Sequence, residues 1–167
     1  MVFSIRKVEV RKDSVIMRRS LLVLVLLVSA ISFGSAAGPA PITYIPADKV
    51  AAAFAKGMPL LEVEGYKIHA SRREAPGMAE VHVRDTDLIY VLDGSAEIIL
   101  GGDVVSGKTI ATDEIRGASI QGGETRKLVK GDVLVVPNAV PHWFKSVNAP
   151  FLYYVVKVAG PPAGGTR

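Results

Sequence analysis

The chain contains no cysteine. Disulfides, thiolate nucleophiles, zinc fingers and iron–sulfur clusters are therefore excluded together, and any metal must be held by nitrogen and oxygen. Histidine is scarce as well: His69, His82 and His142 are the whole supply. A glycine-rich phosphate loop, a G-x-S-x-G elbow and a dinucleotide fingerprint are all missing, which leaves nucleotide binding and serine hydrolysis unsupported. There is no internal repeat and no low-complexity tract. The longest apolar run, Leu21–Ile31, falls short of the about 20 residues that a membrane span requires.

What is present is a chain of 167 residues, 49% of them hydrophobic and 22% charged. That is enough for one domain with a real core, and it is not the composition of a disordered chain. The net charge of +4 is unevenly placed. Residues 1–37 hold Arg6, Lys7, Arg11, Lys12, Arg18 and Arg19 against Glu9 and Asp13, so the whole excess lies in this segment and the remainder is neutral. A basic chain ordinarily hints at a nucleic-acid partner; here the hint goes with the leader, and no nucleic-acid partner is expected.

Met17-Arg-Arg-Ser precedes the apolar run, and Ser32-Phe-Gly-Ser-Ala-Ala37 follows it. A basic region, a short apolar region and small residues are the pattern of a secretory signal peptide, with cleavage after Ala36 or Ala37. The expected destination is the periplasm or the exterior, with no membrane association once the leader is removed. An uncleaved N-terminal anchor is the alternative. Residues 1–16 have no purpose in this scheme, which points to Met17 as the translation start.

Residues 38–57 read as a Pro-rich entry and a short helix, Lys49–Lys56, capped by Asp48 and ended by Gly57. From residue 58 to 158 the pattern is strand and turn. Met78–Arg84 alternates, and Leu88–Leu92 and Ala96–Leu100 flank Asp93-Gly94, a hairpin signal. His142–Val147 and Phe151–Val158 are separated by Ala149-Pro150. Residues 101–123 are polar and less regular, and are expected to form an inserted hairpin or loop at a barrel mouth. Residues 159–167 are a Gly/Pro-rich tail. Eight or nine short strands at even spacing predict an antiparallel β-sandwich or barrel.

Glu80 and His82 are two apart on a strand and share a face. Asp87 begins the return strand and can reach back to them, and His142 opens a later strand. These residues sit in two motifs that resemble the paired motifs of the cupin superfamily, G-x5-H-x-H-x3,4-E-x6-G and G-x5-P-x-G-x2-H-x3-N. Glu80 stands in the first His position, followed by His82, Asp87 and Gly94 at the family spacing. Gly131, Pro137 and His142 fall in register in the second motif, where Ala139 replaces a glycine and Ser146 the asparagine.

The resemblance implies an all-β, antiparallel jelly-roll barrel with a short N-terminal helix. Inside it, a divalent ion (Fe, Mn, Zn, Ni or Co) is expected at Glu80, His82, Asp87 and His142. Asp87 is one methylene shorter than the family glutamate, about 1.5 Å of reach, so Glu80, His82 and His142 can bind directly with Asp87 behind them. The implied activity is metal-dependent oxygenase or isomerase chemistry on a small polar molecule. The rival is a non-catalytic module that binds or senses a small ligand. His69 and Tyr90 are the catalytic candidates, Phe144 a cavity-wall candidate, and Arg72, Arg73 and Arg84 candidates for the rim. Leu60, Leu61 and Val63 offer an apolar segment for a homodimer.

Overall fold

The computed structural model describes residues 41–161; the leader and the end of the tail lie outside them. Among the described residues no helix is long and apolar enough to cross a membrane. Helix α1 spans Ala47–Lys56. Its N-cap is Pro46, not Asp48, which lies in the first turn, where an acidic side chain faces the positive end of the helix. Gly57 ends the helix in the left-handed conformation at φ 67°. The helix lies over the first two strands, and Phe54 meets Tyr154 edge to face at 4.9 Å.

Eleven strands follow: β1 Met58–Val63, β2 Tyr66–Arg73, β3 Ala79–His82, β4 Asp85–Leu100, β5 Asp103–Val105, β6 Lys108–Ala111, β7 Glu114–Gly117, β8 Ser119–Gln121, β9 Glu124–Val129, β10 Val133–Val136 and β11 His142–Ala159. Every pairing is antiparallel. Nine strands form one sheet that curls into an antiparallel jelly-roll barrel, and β5 pairs with β8 as a separate ribbon.

Two long strands organise this barrel, and here the structure corrects the expected hairpin. Asp93-Gly94 is not a turn: β4 runs through it without a break. Along one edge β4 pairs with β10 over Asp87–Tyr90 and with β9 over Ser95–Leu100. Its other edge pairs with β11, which is likewise one strand from His142 to Ala159, with an irregularity around Ala149-Pro150. Gly94 faces that irregularity at φ 78°, and a Cβ there would run into the Pro150 carbonyl. A tight turn and a bulged crossing both demand a residue free of Cβ, which is why the local pattern misleads.

The main core fills one half of the barrel: Ile89, Val91, Ile98, Leu128, Phe144, Phe151 and Tyr153. Burying side chains of this size stabilises the fold by about 1.5–3 kcal/mol each. The segment 101–123 forms strands β5–β8, and the β6–β7 hairpin attaches to the barrel through β7 against β3. This attachment carries two further side chains to the site.

Candidate metal centre

All four residues of β3 are buried, because this short strand has β7 on one side and the start of β11 on the other. Alternation sends Glu80 and His82 inward. His142 is the direct cross-strand partner of Glu80. The structure thus brings Glu80, His82 and His142 together with donor atoms within 4.8 Å of one another. Glu80 Oε2 lies 3.5 Å from His82 Nε2 and 3.8 Å from His142 Nε2.

Each of these side chains is gripped at its far end. Glu114 Oε2 lies 2.5 Å from His82 Nδ1, so Nε2 is the ring atom that faces the cluster. His142 Nδ1 lies 3.3 Å from the Val140 carbonyl, which leaves its Nε2 facing the same point. Glu80 Oε1 accepts from Arg73 Nη2 at 3.1 Å and pairs with Arg116 Nη1 at 2.5 Å, leaving Oε2 to the cluster. Arg116 also pairs with Glu114 at 2.5 Å. A carboxylate behind a histidine fixes ring orientation and raises ligand basicity at metal sites. Sequence reasoning misses Glu114 and Arg116. Their signal is the two-residue spacing of Glu114-Ile-Arg116, which matches that of Glu80-Val-His82 on the strand opposite.

His82 Nε2 is buried and has no hydrogen-bond partner among the described residues. Its nearest acceptors are Glu80 Oε2 and Asp87 Oδ2, each 3.5 Å away, beyond good hydrogen-bond length. The titration shifts follow from these contacts. Burial alone would raise the Glu80 carboxyl, yet its contact with His82 and the charges of Arg73 and Arg116 hold it well below the usual carboxylate range. Burial would lower His82, yet Glu114 and Glu80 push it up to about 9. His142 moves the other way: burial dominates and lowers it, against the pull of Glu80 and Asp87. Two imidazoles, a carboxylate and an orphaned inward nitrogen together fit a divalent cation.

Asp87 is buried beside the cluster, its Oδ2 3.5 Å from His82 Nε2 and 3.9 Å from His142 Nε2. Both of its oxygens, however, accept from Lys157 Nζ, at 2.8 and 2.7 Å. Next to this pair Lys67 Nζ donates to Asp85 Oδ2 at 3.1 Å. These groups line a cavity of about 560 Å³ that also reaches Ser71, Phe144 and Tyr153. His69 lines it too, with Nε2 3.0 Å from Glu62 Oε1.

Tyr90 does not reach the cavity. It is 43% exposed on the outer face, because three positions along a strand from Asp87 reverse the side of the sheet. Arg73 is inside rather than at the rim, its guanidinium 4.3 Å from the Phe144 ring centroid. Arg72 pairs with Glu74 and Arg84 bonds the Gly160 carbonyl, both away from the cluster. Trp143 turns from the cavity and donates to the Gly77 carbonyl at 2.8 Å.

A family model described as Cupin matches residues 35–164. No curated protein matches the chain. Among solved structures, a protein from Bacillus halodurans has a TM-score of 0.51 at 14% identity, covering 78% of this chain and 89% of its own. A cupin protein from Bacteroides fragilis has a TM-score of 0.45 at 12% identity, covering 78% and 90%. Hydroquinone 1,2-dioxygenase from Sphingomonas sp. TTNP3, with 4-hydroxybenzoate bound, has a TM-score of 0.46 at 17% identity, covering 75% and 83%.

Proposed function

This chain belongs to the cupin family, and from that premise we propose that it holds a divalent metal ion at Glu80, His82 and His142 and acts on a small polar organic molecule in the adjoining cavity. The observation that carries this reading is the orphaned Nε2 of His82, aimed at the point that Glu80 Oε2 and His142 Nε2 also face. Two histidines and a carboxylate favour Fe(II) or Mn(II), with Zn(II), Ni(II) and Co(II) as competitors. When bound, such an ion supplies Lewis-acid or oxygen-activating chemistry of oxygenase or isomerase type.

The chain's own residues divide the remaining work. Glu114 orients His82, Arg73 and Arg116 pin Glu80, and Phe144 with Tyr153 excludes water from the inner wall. His69, backed by Glu62 at the edge of the cavity, is the group placed to move a proton. The test is metal analysis of the freshly purified protein beside the Glu80→Ala/His142→Ala double variant. A stoichiometric ion in the wild type and none in the variant supports the reading; equal trace metal in both sinks it.

One observation favours a non-catalytic binding or sensing module. The cavity's cations are already engaged, Lys67 by Asp85, Lys157 by Asp87 and Arg116 by Glu114, which leaves none of the three free to act on a substrate. Metals and small organic acids or sugars that raise the melting temperature without turnover would select this second reading.

Two further readings accompany the first. The leader pattern over residues 17–37 supports export to the periplasm or beyond, checked by N-terminal sequencing of the protein recovered from each cell fraction. The outer sheet face supports a homodimer. Val135, Leu88, Val156, Ile68 and Leu61 form one cross-strand row, and the rows beside it hold Tyr90, Val133, Val158 and Tyr66, all exposed. Beyond the part that α1 covers, Val133, Val135, Leu88 and Tyr90 on β10 and β4 form an exposed apolar patch that matches an equally apolar partner, and a second copy supplies one. Val135→Lys should convert a dimer to a monomer by light scattering; a wild-type monomer rules the dimer out.

A further inference from the structure

The position that the family motif gives to a fourth ligand is occupied here by Asp87, and the structure shows what has become of it. The carboxylate is buried, and it stands within 4 Å of both facing imidazole nitrogens. Yet neither oxygen is free: Lys157 Nζ donates to both. The pairing is built into the register, since Lys157 is the cross-strand partner of Asp87, and on its other side Lys157 pairs with Lys67, whose own charge is taken by Asp85. Lys157 therefore has one carboxylate within reach that no other cation claims. Glu80 is held differently. Its arginines occupy Oε1 and leave Oε2 turned to the cluster.

We propose that Lys157 is a positioning residue that withholds Asp87 from the metal. It keeps the protein's donors at Glu80, His82 and His142, so that the Asp87 side of the ion is left to water or to an incoming ligand. Charge acts in the same direction. Asp87 with Lys157 is a neutral pair, so its carboxylate adds no net negative charge beside Glu80, whose own charge is already shared with Arg73 and Arg116, and a divalent ion there would stay electrophilic toward an anionic or carbonyl oxygen of the ligand. This inference rests on the metal reading above, and its test is arranged so that the two can fail separately.

The experiment uses Mn(II) alone as the probe, on wild type, Lys157→Met and the Lys157→Met/Asp87→Asn double variant. Three readouts apply: affinity by titration calorimetry, water bound to Mn(II) by proton relaxation, and the melting temperature with and without Mn(II). In Lys157→Met the freed carboxylate should join the ion. Affinity then rises by roughly tenfold or more, because added ligand charge tightens binding. Bound water falls, and the Mn(II)-induced rise in melting temperature exceeds that of wild type. The double variant removes both charges together, should fold even where the single one does not, and should return to wild-type affinity and hydration within about threefold, under 1 kcal/mol.

Failure takes distinct forms. If wild type binds no Mn(II) while folded, the metal reading itself falls and takes this inference with it. If wild type binds but the double variant binds tenfold or more weakly and gains bound water, Asp87 is a ligand already and the inference is overturned alone. It is overturned equally if Lys157→Met matches wild type in affinity and hydration.

Discussion

Two adjacent rows of side chains cross the same strands and have opposite character. On the outer face, Val135, Leu88, Val156, Ile68 and Leu61 are hydrocarbon throughout; one residue along, on the inner face, the row reads Val136, Asp87, Lys157, Lys67 and Glu62. An ordinary half-buried sheet does the reverse and turns its charges to water. The inversion separates the demands on each row. The inner charges are tolerated because each is matched across the strand or beside it, while the outer hydrocarbon is covered in part by α1 and otherwise exposed. Further along β4 the inner face changes again, from Asp85 and Asp87 to Ile89, Val91 and Ile98, so one strand carries both the site and the core.

The contrast predicts large effects inside and small ones outside. Phe151→Ala, at the apolar end of the inner face, should lose about 3–5 kcal/mol by urea denaturation, and a cost below 1 kcal/mol would show that this half is not the structural core. Glu114→Ala should leave the fold intact and weaken metal binding by about 10- to 100-fold, read by calorimetry; an unchanged affinity would mean His82 needs no support. Metal affinity should also climb with pH from neutral to about 9. The sign follows from His82, whose proton is held up to about 9 in the metal-free protein and must leave before the ring can bind. Calorimetry in buffers of different ionisation enthalpy should register that proton at neutral pH, and a flat profile with none released would contradict it. Smallest of all, Tyr90→Phe should shift stability by no more than about 0.5 kcal/mol and leave binding unmoved, since its ring is on the outer face.

Much of the molecule is legible in the sequence for reasons of period. The alternation through Met78–Arg84 places Glu80 and His82 on one face, and the joint spacing of the two motifs points to His142 as their neighbour. The same alternation rules out Tyr90 as a cavity residue, because an odd number of steps from Asp87 changes sides; nearness along the strand suggested otherwise. The Asp93-Gly94 signal fails for a different reason: a positive φ specifies backbone shape and not chain reversal, and only the distant Pro150 carbonyl reveals which is meant. Glu114 and Arg116 stay hidden because their strand is four residues long, within a polar stretch whose pairing partner lies more than thirty positions upstream. Long-range pairing is what local patterns carry least. The grip of Lys157 on Asp87 is of the same kind, joining residues 70 apart in the chain.

The β6–β7 hairpin gives the molecule an adjustable part. The donors stand on β3 and β11, whereas the carboxylate that contacts His82 and one of the two arginines that pin Glu80 arrive on the β6–β7 hairpin, which joins the sheet through β3. Exchanging the side chains at 114 and 116 with β7 kept against β3 would therefore change how Glu80 and His82 are held and leave the apolar core untouched.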